Sequence, residues 1–119
     1  MDHLTAPQVA AMLAEAGADP SRPQPLLLDV RESWEFETAR MDGATLIPMS
    51  TIGSRIGEVE ALQEAADGSR RPIVCICHHG ARSMQVAAFL EKNGLGHVIN
   101  MTGGIHAWSQ HVDAGVPTY

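Results

Sequence analysis

Cysteine is scarce in this chain: two residues in 119, Cys75 and Cys77, with one residue between them. Side chains two apart on an extended strand point the same way, and a bridge between them would strain the backbone badly. A disulfide framework is thereby excluded, and a reducing, cytoplasmic setting is the expectation. Basic charge is also short, with 8 Lys and Arg against 14 Asp and Glu, a net charge of -6. Such a chain is repelled by phosphate backbones and anionic headgroups, so neither nucleic acid nor a membrane surface is an expected partner. Long apolar runs are missing as well, and none approaches the length that crosses a bilayer. The opening MDHLTAPQ has no basic region followed by an apolar stretch, so no signal peptide is expected. Internal repeats, low-complexity segments and linkers are absent too, and one domain over residues 1–119 is the expected organisation.

What is present reads as an alternation of short buried strands and amphipathic helices. Apolar residues make up 45% of the chain and charged ones 18%, an ordinary balance for a packed globular protein. Thr5-Ala6-Pro7-Gln8 fits a capping box, followed by Val9, Met12, Leu13 and Ala16 on one helical face and Gly17 as a stop. Residues 18–25 hold three prolines and read as a loop. Strands are predicted at 26–30, 44–47, 73–77 and 97–100, apolar without alternation, as in a parallel sheet buried on both faces. Residues 31–39 suggest a short helical turn. Helices are predicted from Ser50 (Ile52, Ile56, Val59 and Leu62, weakened by Gly53 and Gly57), over 83–92 with Asn93-Gly94 as its stop, and from Gly103-Gly104 onward. This pattern implies an α/β fold with a mainly parallel sheet, whose ligands bind beyond the carboxyl ends of the strands.

Cys77 stands at one such end, where the apolar run 73–77 gives way to His78-His79-Gly80-Ala81-Arg82-Ser83 and a helix. A free thiol with a pKa near 8.5 is only ~3% ionised at neutral pH, so a nucleophilic cysteine needs its anion stabilised. Gly80 and Ala81 are small enough to let backbone N–H groups curl around a sulfur atom. The following helix start adds its positive end, Arg82 is permanently charged, and His78 and His79 add partial charge. Adjacent histidines are expected to point apart, leaving one at the pocket and the other in solvent. Ser83 is expected as the helix N-cap or as a loop donor. Cys75, two residues inside the strand, reads as an inert core residue. Asp29 and Arg31 read as a local ion pair, with Glu35 as a further partner, and Trp34 and Trp108 as packing residues.

The segment 77–83 resembles the active-site loop of the rhodanese sulfurtransferases. LLLDVRESWEFE (26–37), MDGATLIPMS (41–50) and NMTGGIHAWSQHVDAGVP (100–117) resemble further motifs of that family, in the same order and over nearly the whole chain. One segment departs: where many members have Gly-His-Ile, this chain has Ala39-Arg40-Met41. The resemblance implies a rhodanese-like domain with a five-stranded parallel sheet and helices on both faces. It also implies that Cys77 takes sulfur from an anionic sulfane donor such as thiosulfate, becomes a persulfide, and passes the sulfur to cyanide, a thiol or an acceptor protein. His78, His79, Gly80, Ala81, Arg82 and Ser83 would line that site, with Arg82 on the anionic donor, and no cofactor or metal is implied.

Three other readings compete. A cysteine phosphatase or arsenate reductase also wraps an anion at a helix start, but its loop resembles Cys, five residues, Arg, whereas four residues separate Cys77 from Arg82. A metal site at Cys75, Cys77, His78 and His79 is disfavoured because ligands so close along a strand do not converge on a tetrahedral ion. A binding module that uses the fold without catalysis typically lacks the cysteine, which this chain keeps.

Overall fold

The computed structural model describes residues 1–119. Five strands form one sheet: β1 (Asp2–Thr5), β2 (Leu26–Asp29), β3 (Thr45–Leu46), β4 (Ile73–Ile76) and β5 (Val98–Thr102). Their spatial order is β1-β5-β4-β2-β3, and every neighbouring pair is parallel. Helices α1 (Ala6–Ala18), α2 (Ser33–Thr38), α3 (Ile56–Gln63) and α4 (Ala81–Lys92) connect them, with a 3-10 segment at Met49–Arg55 ahead of α3, and α5 (Gly104–His111) follows β5. No helix is long and apolar enough to cross a membrane.

The period-2 alternation of β4 divides the core in two. Ile73, Cys75 and Cys77 join Leu26, Leu28, Val59, Val86 and Leu90 on the face covered by α3 and α4. Val74 and Ile76 join Val9, Leu27, Met101 and Ile105 on the face covered by α1 and α5. All four residues of β2 and all four of β4 are buried, which explains why neither strand alternates in hydropathy. Both cysteines therefore face the same layer, as the spacing predicts.

Pattern reading finds four strands, and β1 is the missing fifth. Its Asp-His-Leu-Thr is mostly exposed and lies at the sheet edge, so no apolar run marks it. Backbone pairing with β5, Asp2 opposite Ile99 through Thr5 opposite Thr102, holds it in place. Thr5 then ends β1 and caps α1: its Oγ1 accepts the Gln8 N–H at 3.3 Å while Gln8 Oε1 accepts the Thr5 N–H at 2.8 Å. The helix expected from Ser50 is 3-10 up to Arg55, with Thr51 and Ser54 hydroxyls donating to backbone carbonyls and Gly53 lowering helix propensity. The departing segment 39–41 packs well, with Ala39 and Met41 buried and the Arg40 guanidinium over the Phe36 ring at 5.1 Å.

Candidate active site

β4 and β2 are neighbours at the middle of the sheet, so the loop after Cys77 and the segment after Asp29 share one edge. At Gly80 the chain turns with φ 108°, a conformation that favours glycine, and α4 starts directly from it. The Gly80 N–H thereby points back at Cys77 Sγ, 3.0 Å away. The thiol donates to Ser83 Oγ at 3.2 Å, and the Ser83 hydroxyl donates to Asn100 Oδ1 at 2.6 Å. Ser83 is thus not the N-cap of α4, a position Gly80 occupies; it is a buried link between the sulfur and β5.

Cys77 is only 1% exposed, nearly as buried as Cys75 at 0%. What separates the two thiols is their company. Cys75 lies in the apolar layer, where burial, with the neighbouring Cys77 adding to it, pushes its pKa up to about 12. Cys77 meets an N–H donor and a hydroxyl at the base of the loop. A cavity of about 420 Å³, lined by Glu60, Gln63, Glu64 and Arg70 among others, lies at the opposite, amino-terminal end of the strands and contains no nucleophile. It is not the candidate site.

Helix α5 fastens the loop from the other side. Its Ile105 and His106 N–H groups donate to the carbonyls of Cys77 (2.9 Å) and His78 (3.1 Å). This contact needs Gly104: φ is 61°, and a Cβ there would come within 2.5 Å of the Cys77 carbonyl oxygen. Gly104→Ala is expected to cost about 1–3 kcal/mol of stability and to displace the Cys77 loop. Gly17→Ala is the control. No atom lies within 4 Å of its new methyl, and it should stabilise α1 by up to about 1 kcal/mol. Urea midpoints of the two variants shifting in opposite directions would bear this out; equal shifts would not.

Charge at the site is carried by two arginine pairs, one fully buried and one with its arginine a third exposed. Arg31, 0% exposed, grips Asp29 in a fork (Nε–Oδ1 2.9 Å, Nη2–Oδ2 2.7 Å) and also donates to the Ala39 carbonyl and to Tyr119 Oη. The expected Asp29–Arg31 pair is present. Glu35 does not use its carboxylate on Arg31; it forms a second fork with Arg82, both bonds 2.7 Å. Arg82, expected to receive an anionic donor, thus has its charge neutralised within the protein.

Hydrogen bonds from Arg82 hold the Glu35 pKa down to about 2 against the opposing effect of burial, helped by the Glu32 N–H and the Tyr119 hydroxyl. A carboxylate with a depressed folded-state pKa stabilises the fold above the unfolded-chain value of 4.5, and that stabilisation is lost as pH falls toward 2. The shift corresponds to about 3 kcal/mol. Glu35→Gln should therefore flatten stability between about pH 4.5 and 2, measured by urea unfolding at stepped pH. A variant retaining the wild-type acid slope would assign that slope elsewhere.

His79 is exposed and His78 half-buried, as expected of one solvated ring and one at the pocket, but the two rings do not point apart. The rings of His78 and His79 lie together, centroids 4.0 Å apart, and His106 of α5 joins them at 6.1 and 5.0 Å. Tyr119 stacks on His78 at 4.0 Å with an interplanar angle of 8°. Trp34, 60% exposed, meets the edge of Tyr119 and lies at the rim; Trp108 packs against the α1 and α5 layer. Asn100, Glu35, His106 and Tyr119 are the site residues that local reading does not assign. Only the Gly-Gly-Ile-His segment, whose glycines announce a close approach, gives a local sign of one of them.

The sequence profile of the rhodanese-like domain matches residues 5–111. A sulfurtransferase of Allochromatium vinosum is 36% identical over 86 residues, 72% of this chain and 73% of that protein. The adenylyltransferase and sulfurtransferase MOCS3-2 of Zea mays is 35% identical over 103 residues, 86% of this chain but 21% of that protein. The chain thus spans about a fifth of the maize relative. Among solved structures, a rhodanese-like domain protein from Staphylococcus aureus superposes with a TM-score of 0.73 at 28% identity, covering 100% of this chain and 99% of that one. A five-stranded parallel sheet, a cysteine loop closing onto a helix start at its carboxyl edge and these matches agree: the chain belongs to the rhodanese-like domain family.

Proposed function

We propose that this chain is a sulfurtransferase in which Cys77 carries a sulfane sulfur between an anionic donor and a thiophilic acceptor. The Cys77 thiolate attacks the outer sulfur of a donor such as thiosulfate. A Cys77–sulfur bond forms, the donor's sulfur–sulfur bond breaks, and sulfite leaves with the bonding electron pair. An acceptor thiolate or cyanide then attacks the terminal sulfur of the persulfide, and the Cys77 thiolate is restored. The Gly80 N–H aimed at Sγ from 3.0 Å is the observation that carries this reading. A donor fixed by the fold stabilises negative charge on sulfur without reorganising, and Ser83 can turn its hydroxyl from Asn100 to the anion.

His78, His79, Gly80, Ala81, Arg82 and Ser83 form the wall of this site. Arg82 supports it through Glu35, fixing the start of α4 against α2. The short loop and the neutralised arginine speak against phosphoryl transfer, which places a free guanidinium on the transferred group. The acceptor class includes a partner protein, since the maize relative joins adenylyl and sulfur transfer in one polypeptide. A binding module without catalysis would have no use for the Gly80–Cys77–Ser83 arrangement.

Steady-state kinetics with thiosulfate and cyanide test the proposal. A persulfide intermediate requires ping-pong behaviour, seen as parallel double-reciprocal lines as the second substrate is varied. Hydrolysis of an aryl phosphate with no sulfur transfer would overturn it in favour of the phosphatase reading. Inactivity toward both, with a stable protein complex, would favour the module.

A further inference from the structure

The proposed chemistry needs an anionic donor to be drawn to the mouth, and both arginines of the site already have their charge matched by a carboxylate. Arg31 is fully buried against Asp29, and the charge of Arg82 is matched by a two-bond fork to Glu35. What remains is a group of three imidazoles, half of the six histidines in the chain. Chain topology gathers them at the loop: His78 and His79 follow Cys77, and His106 arrives on the first turn of α5, whose own N–H binds the His78 carbonyl.

Two of these rings present unsatisfied atoms. His78 Nε2 and His106 Nδ1 are buried without any hydrogen-bond partner. Buried polar atoms are seldom left so, and an orphan pair in one cluster points to a ligand or water that completes it. A metal is a poor candidate, because no group of three histidine, cysteine or acidic side chains here has a geometry that could hold one. A sulfonate-like group carries several acceptor oxygens and suits protonated imidazole nitrogens as donors.

We infer that His78, His79 and His106 form the anion-receiving element of the site, recognising a sulfonate-bearing sulfur donor by taking up a proton as it binds. This rests on the sulfurtransferase reading and assigns to imidazoles the task expected of Arg82. The groups facing His78 define the balance. They are His79 from its own loop, Glu35 from α2, His106 from α5 and Tyr119 from the last segment of the chain. Glu35 is the one carboxylate among them and is already matched by Arg82. Burial first, then the two neighbouring imidazoles, disfavour the charged form of His78 in the free protein. A dianion reverses that preference, because a charged His78 gains an opposite charge at close range. By linkage, a donor that raises proton affinity is itself bound more tightly at low pH.

The test uses thiosulfate and the Cys77→Ser protein, which binds without turning over. Uptake of one proton makes Kd rise about tenfold per pH unit between about pH 6.5 and 8, and titration in buffers of different ionisation enthalpy should show that proton directly. His78→Gln and His106→Gln, each in the Cys77→Ser background, should flatten the pH dependence; the second variant serves if the first does not fold. A pH-independent Kd, binding without proton uptake, or no binding at about pH 6 would overturn the inference. The parent reading fails separately, if no donor loads wild-type Cys77 with sulfur while the pH-dependent binding stands.

Discussion

Cys77→Ser is expected to abolish sulfur transfer while the protein stays folded, with kcat/KM falling by at least about a thousandfold. A serine hydroxyl does not accept and release sulfane sulfur, so no slower route through the same residue remains. The fold should tolerate the change, because Gly80 N–H and Ser83 still offer hydrogen-bond partners to an oxygen at that position. Cys75→Ala is the matched control. Cys75 faces the same layer but sits inside the sheet with its ionisation suppressed by burial. Sulfur transfer should survive this substitution at near wild-type kcat, with a stability loss of about 1 kcal/mol or less for the missing sulfur. The reverse pattern, activity lost with Cys75 and kept without Cys77, would end the proposed mechanism.

Arg31→Met should be the most damaging single substitution for stability. It leaves Asp29 fully buried with its charge unmatched, and removing one partner of a buried ion pair costs about 3–5 kcal/mol. The damage spreads toward the site, because the same guanidinium donates to the Ala39 carbonyl at 2.6 Å and to Tyr119 at 2.8 Å. Tyr119 in turn bonds Glu35 and stacks on His78, so the carboxyl-terminal residue loses one of its anchors. The double variant Asp29→Asn with Arg31→Met removes the stranded charge and should recover part of the loss, a non-additivity readable from urea unfolding of all four proteins. A single-variant loss below about 1 kcal/mol would show that the pair contributes far less than its burial implies.

Much of this architecture is legible from local residues. The run 73–77 announces β4 because both faces of the central strand are buried, and Gly80 announces the turn because its backbone needs a positive φ. The capping box at Thr5 is visible because it spans one turn of chain. What escapes local reading is held by long-range contacts. β1 exists only through its pairing with β5, almost the full length of the chain away. Glu35 and Arg82 are 47 residues apart, and Arg31 and Tyr119 are 88 apart, so no spacing links them. The same holds for Ser83 and Asn100, 17 residues apart on α4 and β5. The rings of two neighbouring histidines lie together, not apart, with His106 and Tyr119 packed beside them from elsewhere in the chain. The nucleophile and its loop are thus a local feature, and the charge that surrounds them is a product of the fold.

Tandem mass spectrometry that locates added sulfur within the peptide holding both cysteines, after brief exposure to thiosulfate, measures the central claim most directly. The account predicts one added sulfur atom on Cys77, none on Cys75, and its removal by cyanide with release of thiocyanate. An unmodified Cys77 in a folded protein, or a sulfur that settles on Cys75 instead, would contradict it.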